Sequence, residues 1–301
     1  MPFFSVVIPV YNRAAEIRET LDSILSSRFT DFEVLVVDDG STDDTLDVVA
    51  TYSDRVRLLK QKNQGPCAAR NLGLGHAQGE YCAFLDSDDI WFPWSLELYA
   101  EAIRQNGNPA LVIGERVDFA TASELDIVRE EPLRTKAFRD YLAASAESPF
   151  ISASALVVRT DALRRVGGFH KEWINAEDCD LCLRLGTESG YVYIAAPAQF
   201  GYRKHAGSLV GNLGRAVAGQ RHLISQEKTG GYPGGSDRRR ERLEILTRHV
   251  RPAALEFLRR GAVKPGLELY LATLPWHLAL GRFRFLAAFP LLALKNLVAK
   301  G

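Results

Sequence analysis

For its first hundred residues the chain alternates short apolar runs with segments whose apolar positions recur every three or four residues, the signature of βαβ units on a parallel sheet. Phe4 to Val10 is a near-continuous apolar run, which predicts a strand buried on both faces. Ile17, Leu21, Ile24 and Leu25 then fall at helical spacing, and Glu33 to Val37 returns to a buried-strand run. A second helix is expected after Ser41 or Thr42, followed by a strand at Val56 to Leu59, a helix opened by Pro66 and a strand at Tyr81 to Leu85. The middle is less regular: a strand-like stretch from Ala110 to Phe119, a polar stretch to about Lys136, an apolar run from Phe150 to Val158, and a helix from about Glu177 to Thr187. A mixed sheet with inserted segments follows from this pattern. Gly230-Gly231-Tyr232-Pro233-Gly234-Gly235 reads as a linker. Beyond it, Leu243, Leu246, Val250, Ala254 and Leu258 mark an amphipathic helix, and a second apolar region runs from about Leu267 to the end. The expected organisation is an α/β domain over 1–229, a Gly-rich linker over 230–236 and a basic, amphipathic helical region over 237–301.

Composition narrows the class. Of 301 residues, 47% are apolar and 25% charged, which fits a folded globular chain and argues against disorder, a collagen-like repeat or a polytopic membrane protein. Lys plus Arg and Asp plus Glu both number 37, so net charge gives no support for a nucleic-acid partner. The charge is unevenly spread: residues 237–301 hold 13 basic and 5 acidic side chains, against 24 and 32 in residues 1–236. That asymmetry points to a basic tail with a separate task. Four cysteines do not make a secreted disulfide framework, and Met1 to Arg13 lacks the basic start and cleavage site of a signal peptide, so a cytoplasmic location is expected. Cys179 and Cys182 form a CxxC without a second pair, inside a leucine-rich helical pattern, and read as buried thiols.

In open α/β sheets, ligands bind outside the carboxyl ends of the strands, and polar residues gather there repeatedly in this sequence. The first strand ends in Pro9-Val10-Tyr11-Asn12, the second in Asp38-Asp39-Gly40-Ser41-Thr42-Asp43, and the fourth in Asp86-Ser87-Asp88-Asp89. Three carboxylates within four residues repel one another, so they splay into water or share a divalent cation. The Gly and Glu of an EF-hand loop are absent. At the carboxyl end of a central strand, Mg²⁺ or Mn²⁺ held together with a substrate diphosphate is the natural use, with a solvated turn capping the helix near Pro93 as the plainer alternative. Of Asp38 and Asp39, one is expected to cap the turn, leaving the other free to accept hydrogen bonds from a nucleobase or ribose. Tyr11 offers an aromatic face nearby. A P-loop is absent, and the glycines at Gly73, Gly75 and Gly79 have the wrong spacing and precede a strand, so they are not a dinucleotide fingerprint.

The order Val6-Val7-Ile8-Pro9-Val10-Tyr11-Asn12, Val37-Asp38-Asp39-Gly40-Ser41-Thr42-Asp43, Asn63-Gln64-Gly65 with Ala69-Arg70-Asn71, Phe84-Leu85-Asp86-Ser87-Asp88-Asp89, then Glu177-Asp178 resembles the family-two glycosyltransferases of GT-A fold, from about residue 4 to about residue 210. The resemblance implies an α/β fold with a GT-A-like, Rossmann-type mixed sheet flanked by helices, followed here by a helical C-terminal tail. It also implies transfer of a sugar from a nucleoside-diphosphate donor, by family default a UDP-sugar, to a hydroxyl of a glycan or lipid-linked acceptor, with inversion at the anomeric carbon. Carried over by position, Pro9, Tyr11 and Asp39 would hold the nucleoside, with Gly65 and Arg70 beside it or the diphosphate. Asp86, Ser87 and Asp88 would form the DxD motif, with Asp86 nearer the ribose and Asp88 on Mn²⁺ or Mg²⁺. Asp178 would be the catalytic base, with Asp180 a substitute two residues on; acidic residues in a helix's first turn also complement its dipole. His205 would be a metal ligand or phosphate contact. The QxxRW motif of processive synthases is absent, so single-sugar addition is expected.

Two other functions compete: a sugar nucleotidyltransferase, which would carry a glycine-rich loop where Pro9-Val10-Tyr11-Asn12-Arg13 stands, and a non-catalytic nucleotide-sugar-binding protein, which would lack the DxD or the base. For the tail, Arg238, Arg239, Arg240 and Arg242 suggest contact with an anionic membrane surface, on which the apolar stretch from Phe283 would lie without crossing. Packing on the catalytic domain or homodimerisation through the same helices is the alternative.

Overall fold

The structure is a computed structural model that describes residues 1–147, 151–204 and 212–298. The chain forms two compact units, the first made of Met1–Tyr141, Phe150–Trp173 and Glu188–Ser208, the second of Leu142–Pro149, Ile174–Thr187 and Leu209–Gly301.

The first unit opens with the expected alternation: β1 (Phe4–Val10), α1 (Ile17–Leu25), β2 (Phe32–Asp38), α2 (Thr45–Ala50), β3 (Arg57–Lys60), α3 (Pro66–His76) and β4 (Tyr81–Phe84). It continues through β5 (Ile90–Trp91), α4 (Ser95–Gln105), β6 (Leu111–Ile113), β7 (Arg116–Phe119), β8 (Arg134–Phe138), β9 (Leu156–Arg159), α5 (Thr160–Arg165), β10 (Tyr191–Ala196) and β11 (Phe200–Arg203). Eight strands form one mixed sheet in the order β3-β2-β1-β4-β9-β6-β10-β8, and β5-β11-β7 form a second, smaller sheet. In the large sheet β1 is parallel to β2 and β4, while β9 runs antiparallel to β4 and β6. All seven residues of β1 are buried, as its unbroken apolar run predicts. α1 turns Ile17, Leu21 and Ile24 inward, the face read from the sequence.

Two local departures from expectation have visible causes. Ala110 to Phe119 is not one strand: β6 and β7 belong to different sheets. Gly114 lies between them, where a Cβ would stand 2.1 Å from the Tyr99 hydroxyl, so close packing against α4 fixes a glycine at the change of sheet. α2 starts at Thr45 rather than after Ser41 or Thr42, because Asp38 and Asn12 hold residues 40–42 in a loop and Asp43 Oδ1 accepts the Thr45 N–H at 3.0 Å.

The second unit is helical: α6 (Glu177–Arg184), α7 (Leu213–Thr229), α8 (Arg239–Arg259), α9 (Val263–Ala279) and α10 (Phe283–Val298). α7 packs on α8, α8 on α9 and α9 on α10. Leu243, Leu246, Val250, Ala254 and Leu258 are all buried on α8, as their spacing predicts, and Cys179 and Cys182 are buried on α6. The glycine-rich stretch lies inside this unit, as a clamped turn between α7 and α8. Arg242, 4% exposed, pairs with Glu227 at 2.7 and 3.2 Å and donates to the carbonyls of Pro233 and Gly235 at 2.9 Å each. The neighbouring cations are also occupied: Arg238 pairs with Glu241, and Arg240 approaches Glu244 at 3.3 Å. Arg242 is thus taken up inside the unit, whereas the side chains of Arg239 and Arg240 remain 56% and 79% exposed. Among the described residues, no helix is long and apolar enough to cross a membrane.

Candidate active site

Parallel pairing brings the carboxyl ends of β1, β2 and β4 to one edge, with Val10 opposite Asp38 and Val7 opposite Phe84. Pro9 lies in β1, and Tyr11 follows it, 43% exposed. Asn12 has φ 49°, a left-handed conformation that asparagine tolerates. Its Oδ1 accepts the Thr42 N–H at 2.8 Å and its own N–H reaches Ser41 Oγ at 3.0 Å, so the loops after β1 and β2 are tied together.

The two carboxylates after β2 divide their work, though not as expected. Asp38 caps the turn, accepting from the N–H groups of Gly40 and Ser41 at 3.2 Å. Asp39 is buried too, and accepts from Gln61 Nε2 at 2.7 Å, Gln64 N at 2.9 Å and Gly65 N at 2.8 Å. A carboxylate has about four acceptor positions, so Asp39 retains about one for a ligand. Its main visible task is to hold the loop that enters α3. Gly65, at φ +90°, sits in that loop against Trp173, whose ring would lie 2.7 Å from a Cβ there.

At the end of β4, backbone hydrogen bonding from Asp89 N to Asp86 O at 3.1 Å closes the acidic turn. Its carboxylates point to different surroundings. Asp86 is paired at 2.6 Å with Arg70, a guanidinium only 3% exposed that stacks over the Phe169 ring at 5.1 Å. Asp88, partly exposed, faces Arg13 at 3.4 Å, and Ser87 between them is buried. Asp89 points inward, accepting from Ser154 Oγ at 2.6 Å and from the Arg203 N–H at 3.0 Å. Burial, then Asp86 and Asp88, push its carboxyl well above the usual carboxylate range. The accessible oxygen ligands of the turn are thus those of Asp86 and Asp88.

Pro9, Tyr11, Asp39, Gly65, Arg70, Asp86, Ser87 and Asp88 all belong to the first unit, where Asp39 meets Gly65 and Arg70 meets Asp86. His205 lies outside the described residues. Asp178 belongs to the second unit, half-buried in the first turn of α6, where its Oδ1 accepts the Cys179 N–H at 2.7 Å. Ala176, just ahead of it, has φ 81°, a left-handed conformation rare for alanine and of the kind that collects at functional sites. Asp180 is a poor substitute as base. It is 1% exposed and contacts Arg184 Nε at 2.8 Å, His222 Nε2 at 2.9 Å and the Tyr232 hydroxyl at 3.0 Å. Burial pushes its carboxyl upward, but His222 and Arg184 outweigh this and hold it below the usual range.

The donor set of the acidic turn suits a hard divalent cation. Mg²⁺ typically takes one or two carboxylates and completes its shell with phosphate oxygens and water, and two partly exposed carboxylates at one turn offer that much. Among the described residues, no group of three or more His, Cys, Asp or Glu side chains is arranged to hold a metal unaided.

Three supports of this turn carry little or no signal in the sequence. Arg13 stands beside a motif and could have been suspected from it. Arg203, whose Nε donates to the Asp88 carbonyl at 2.8 Å, stands in none of the motifs that mark the site. Ser154 lies in an apolar run and gave no signal.

The family model for glycosyl transferase family 2 matches residues 5–167, more than half the chain. The chain belongs to this family. Family 2 relatives include an uncharacterized glycosyltransferase of Rickettsia felis, 43% identical over 104 residues, which are 34% of this chain and 17% of that protein. The family 2 chain thus spans a small part of that relative's length. Among solved structures, residues 1–349 of S. aureus TarS in complex with UDP-GlcNAc superpose with a TM-score of 0.62 at 21% identity, covering 92% of each chain. The mannosyltransferase PcManGT from Pyrobaculum calidifontis, in complex with GDP-Man and Mn²⁺, gives a TM-score of 0.56 at 21% identity over 100% of this chain and 88% of that one. The fold of this family 2 chain is therefore the GT-A type, with a helical C-terminal region.

Proposed function

We propose that this family 2 member transfers a single sugar from a nucleoside diphosphate, by family habit a UDP-sugar, to a hydroxyl of a glycan or lipid-linked acceptor, with inversion. The observation that carries this reading is the acidic turn, where Asp86 and Asp88 stay accessible while Asp89 is turned inward. The ligands named for TarS and PcManGT, UDP-GlcNAc and GDP-Man with Mn²⁺, support a nucleotide-sugar donor and a divalent cation.

In this reading Tyr11, Pro9 and the remaining acceptor position of Asp39 orient the nucleoside. Arg70, locked against Asp86 and Phe169, fixes the carboxylate nearest the ribose. Asp88, with His205, would hold Mn²⁺ or Mg²⁺, which when bound supplies charge compensation for the departing diphosphate. The acceptor oxygen forms a bond to the anomeric carbon as the bond to the diphosphate oxygen breaks on the opposite face. The electron pair leaves with the nucleoside diphosphate, and the hydroxyl proton passes to Asp178, a transfer that contributes ~10²–10⁴-fold to rate. No covalent intermediate is required. The nucleotidyltransferase alternative has no counterpart in the β1 loop, which is Pro-Val-Tyr-Asn rather than glycine-rich.

The apolar side chains exposed on α9 and α10, among them Leu271, Leu278, Phe283, Leu291 and Leu294, support contact of the helical unit with a membrane surface carrying the acceptor. A melting-temperature panel of nucleoside diphosphates and their sugars tests the donor assignment. Stabilisation by one of them that needs Mn²⁺ and is removed by chelator is expected; a panel in which none stabilises the chain under either condition contradicts it.

A further inference from the structure

Positive charge on the helical unit is compensated unevenly. At the start of α8, Arg238, Arg239, Arg240 and Arg242 are met by Glu241, Glu227 and Glu244. A turn further on, Arg251 and Arg282 lack such compensation among the described residues. Glu244, Arg248 and Arg251 follow one another at i, i+4 and i+7, along one flank of α8. Arg282, between α9 and α10, reaches the same flank, its Nη2 3.5 Å from the backbone carbonyl of Glu244. The Glu244 carboxylate is engaged elsewhere: Oε2 accepts from Ser145 at 2.8 Å and Oε1 lies 3.3 Å from Arg240. Arg248 donates to the Ser145 carbonyl at 2.5 Å. Among the described residues, neither Arg251 nor Arg282 forms an ion pair.

His277, on α9, is fully buried beside them. Neither of its ring nitrogens has a hydrogen-bond partner among the described residues, and its ring centroid lies 4.5 Å from that of Phe285. Arg282 donates its own N–H to the His277 carbonyl at 2.9 Å. Burial, then Arg282 and Arg251, push the imidazole down to about 4, so at neutral pH it is uncharged and keeps one N–H to donate. Burial, then Arg251 and Arg248, likewise lower Arg282, with partial relief from Glu244.

Partly buried like charges around an unsatisfied ring cost free energy that an anionic acceptor would recover. Phosphate offers several acceptor oxygens and matches the planar fork of arginine. We propose that Arg251 and Arg282, with Arg248 and the imidazole of His277, form a binding site for a phosphate-bearing anion in the helical unit. The ligand could be a free phosphate group or the headgroup of an anionic phospholipid. Phe283, next to Arg282 in sequence, is 66% exposed, so an apolar side chain adjoins the site where an acyl chain would leave the headgroup.

The test uses the full chain and inorganic phosphate, read as melting temperature at constant ionic strength against chloride. Phosphate is expected to raise the melting temperature, and Arg251→Gln and Arg282→Gln are each expected to weaken its apparent affinity by about ten-fold or more. Without phosphate, Arg282→Gln should melt no lower than the parent, because it removes like-charge repulsion; Arg282→Lys, which keeps charge but loses the fork, serves if the glutamine variant does not fold and should also bind phosphate more weakly. Co-sedimentation with phosphatidylglycerol vesicles, against phosphatidylcholine vesicles, separates the two sources. Sedimentation that the variants lose assigns a lipid headgroup, and a phosphate response without sedimentation assigns a free phosphate. The proposal is overturned if the parent responds to neither probe, or if its responses survive both glutamine substitutions.

Discussion

Asp88 and Asp89 are adjacent in sequence yet do opposite things: one is held at the surface against Arg13, the other is sunk against Ser154 and the Arg203 backbone. The run of acids was legible because its position after a buried strand suits a cation. Which acid turns inward was not, since that is decided by partners 65 and 114 residues away. The same limit applies to Asp39, whose three donors come from a loop beyond β3. Ser154 carries much of this division, donating to Asp89 and accepting the Asp86 N–H at 3.1 Å. Ser154→Ala should leave both groups short of a partner and destabilise the chain by about 1–3 kcal/mol, measured as a shift in urea midpoint at unchanged slope. A midpoint equal to that of the parent would mean that Ser154 is incidental to the turn.

Elements with a clean period are legible in the sequence, and stretches punctuated by glycine are less so. The buried face of α8 and the strand β1 follow directly from their spacing, because burial on a helix or sheet repeats with the backbone. The composition of 230–235 reads as a linker and gives no sign that Arg242 donates to two of its carbonyls. Helix packing also buries His277, and a pH dependence follows. Its folded pKa, about 4, lies below the ordinary value near 6.5, so between those values the unfolded chain binds a proton that the folded one refuses. Stability from this source is full above pH 6.5 and is lost as pH falls toward 4. In phosphate-free buffer, His277→Leu should therefore gain on the parent as pH drops, by up to about 2 kcal/mol at pH 5. Parallel stability profiles for the two proteins would contradict the assignment.

At the level of the whole molecule, the residues proposed to bind the donor lie at strand ends of the first unit, and Asp178, the proposed base, stands at the start of α6 in the second. The motifs that mark the first were readable in order along the chain; the grouping of residues 174–187 with the C-terminal helices was not, because it depends on packing between segments distant in sequence. If Asp178 accepts the acceptor's proton, Asp178→Asn keeps the shape and removes the base, so turnover should fall by ~10²-fold or more with donor affinity little changed. Near-normal turnover would move the base elsewhere. The most direct measurement for the central claim is calorimetric titration of uridine diphosphate, with Mn²⁺ and with chelator, into the parent chain and Asp88→Ala. Binding by the parent is expected to require Mn²⁺ and to be lost or sharply weakened in an Asp88→Ala chain that melts like the parent. Equal affinity in the two proteins, or affinity indifferent to chelator, would contradict it.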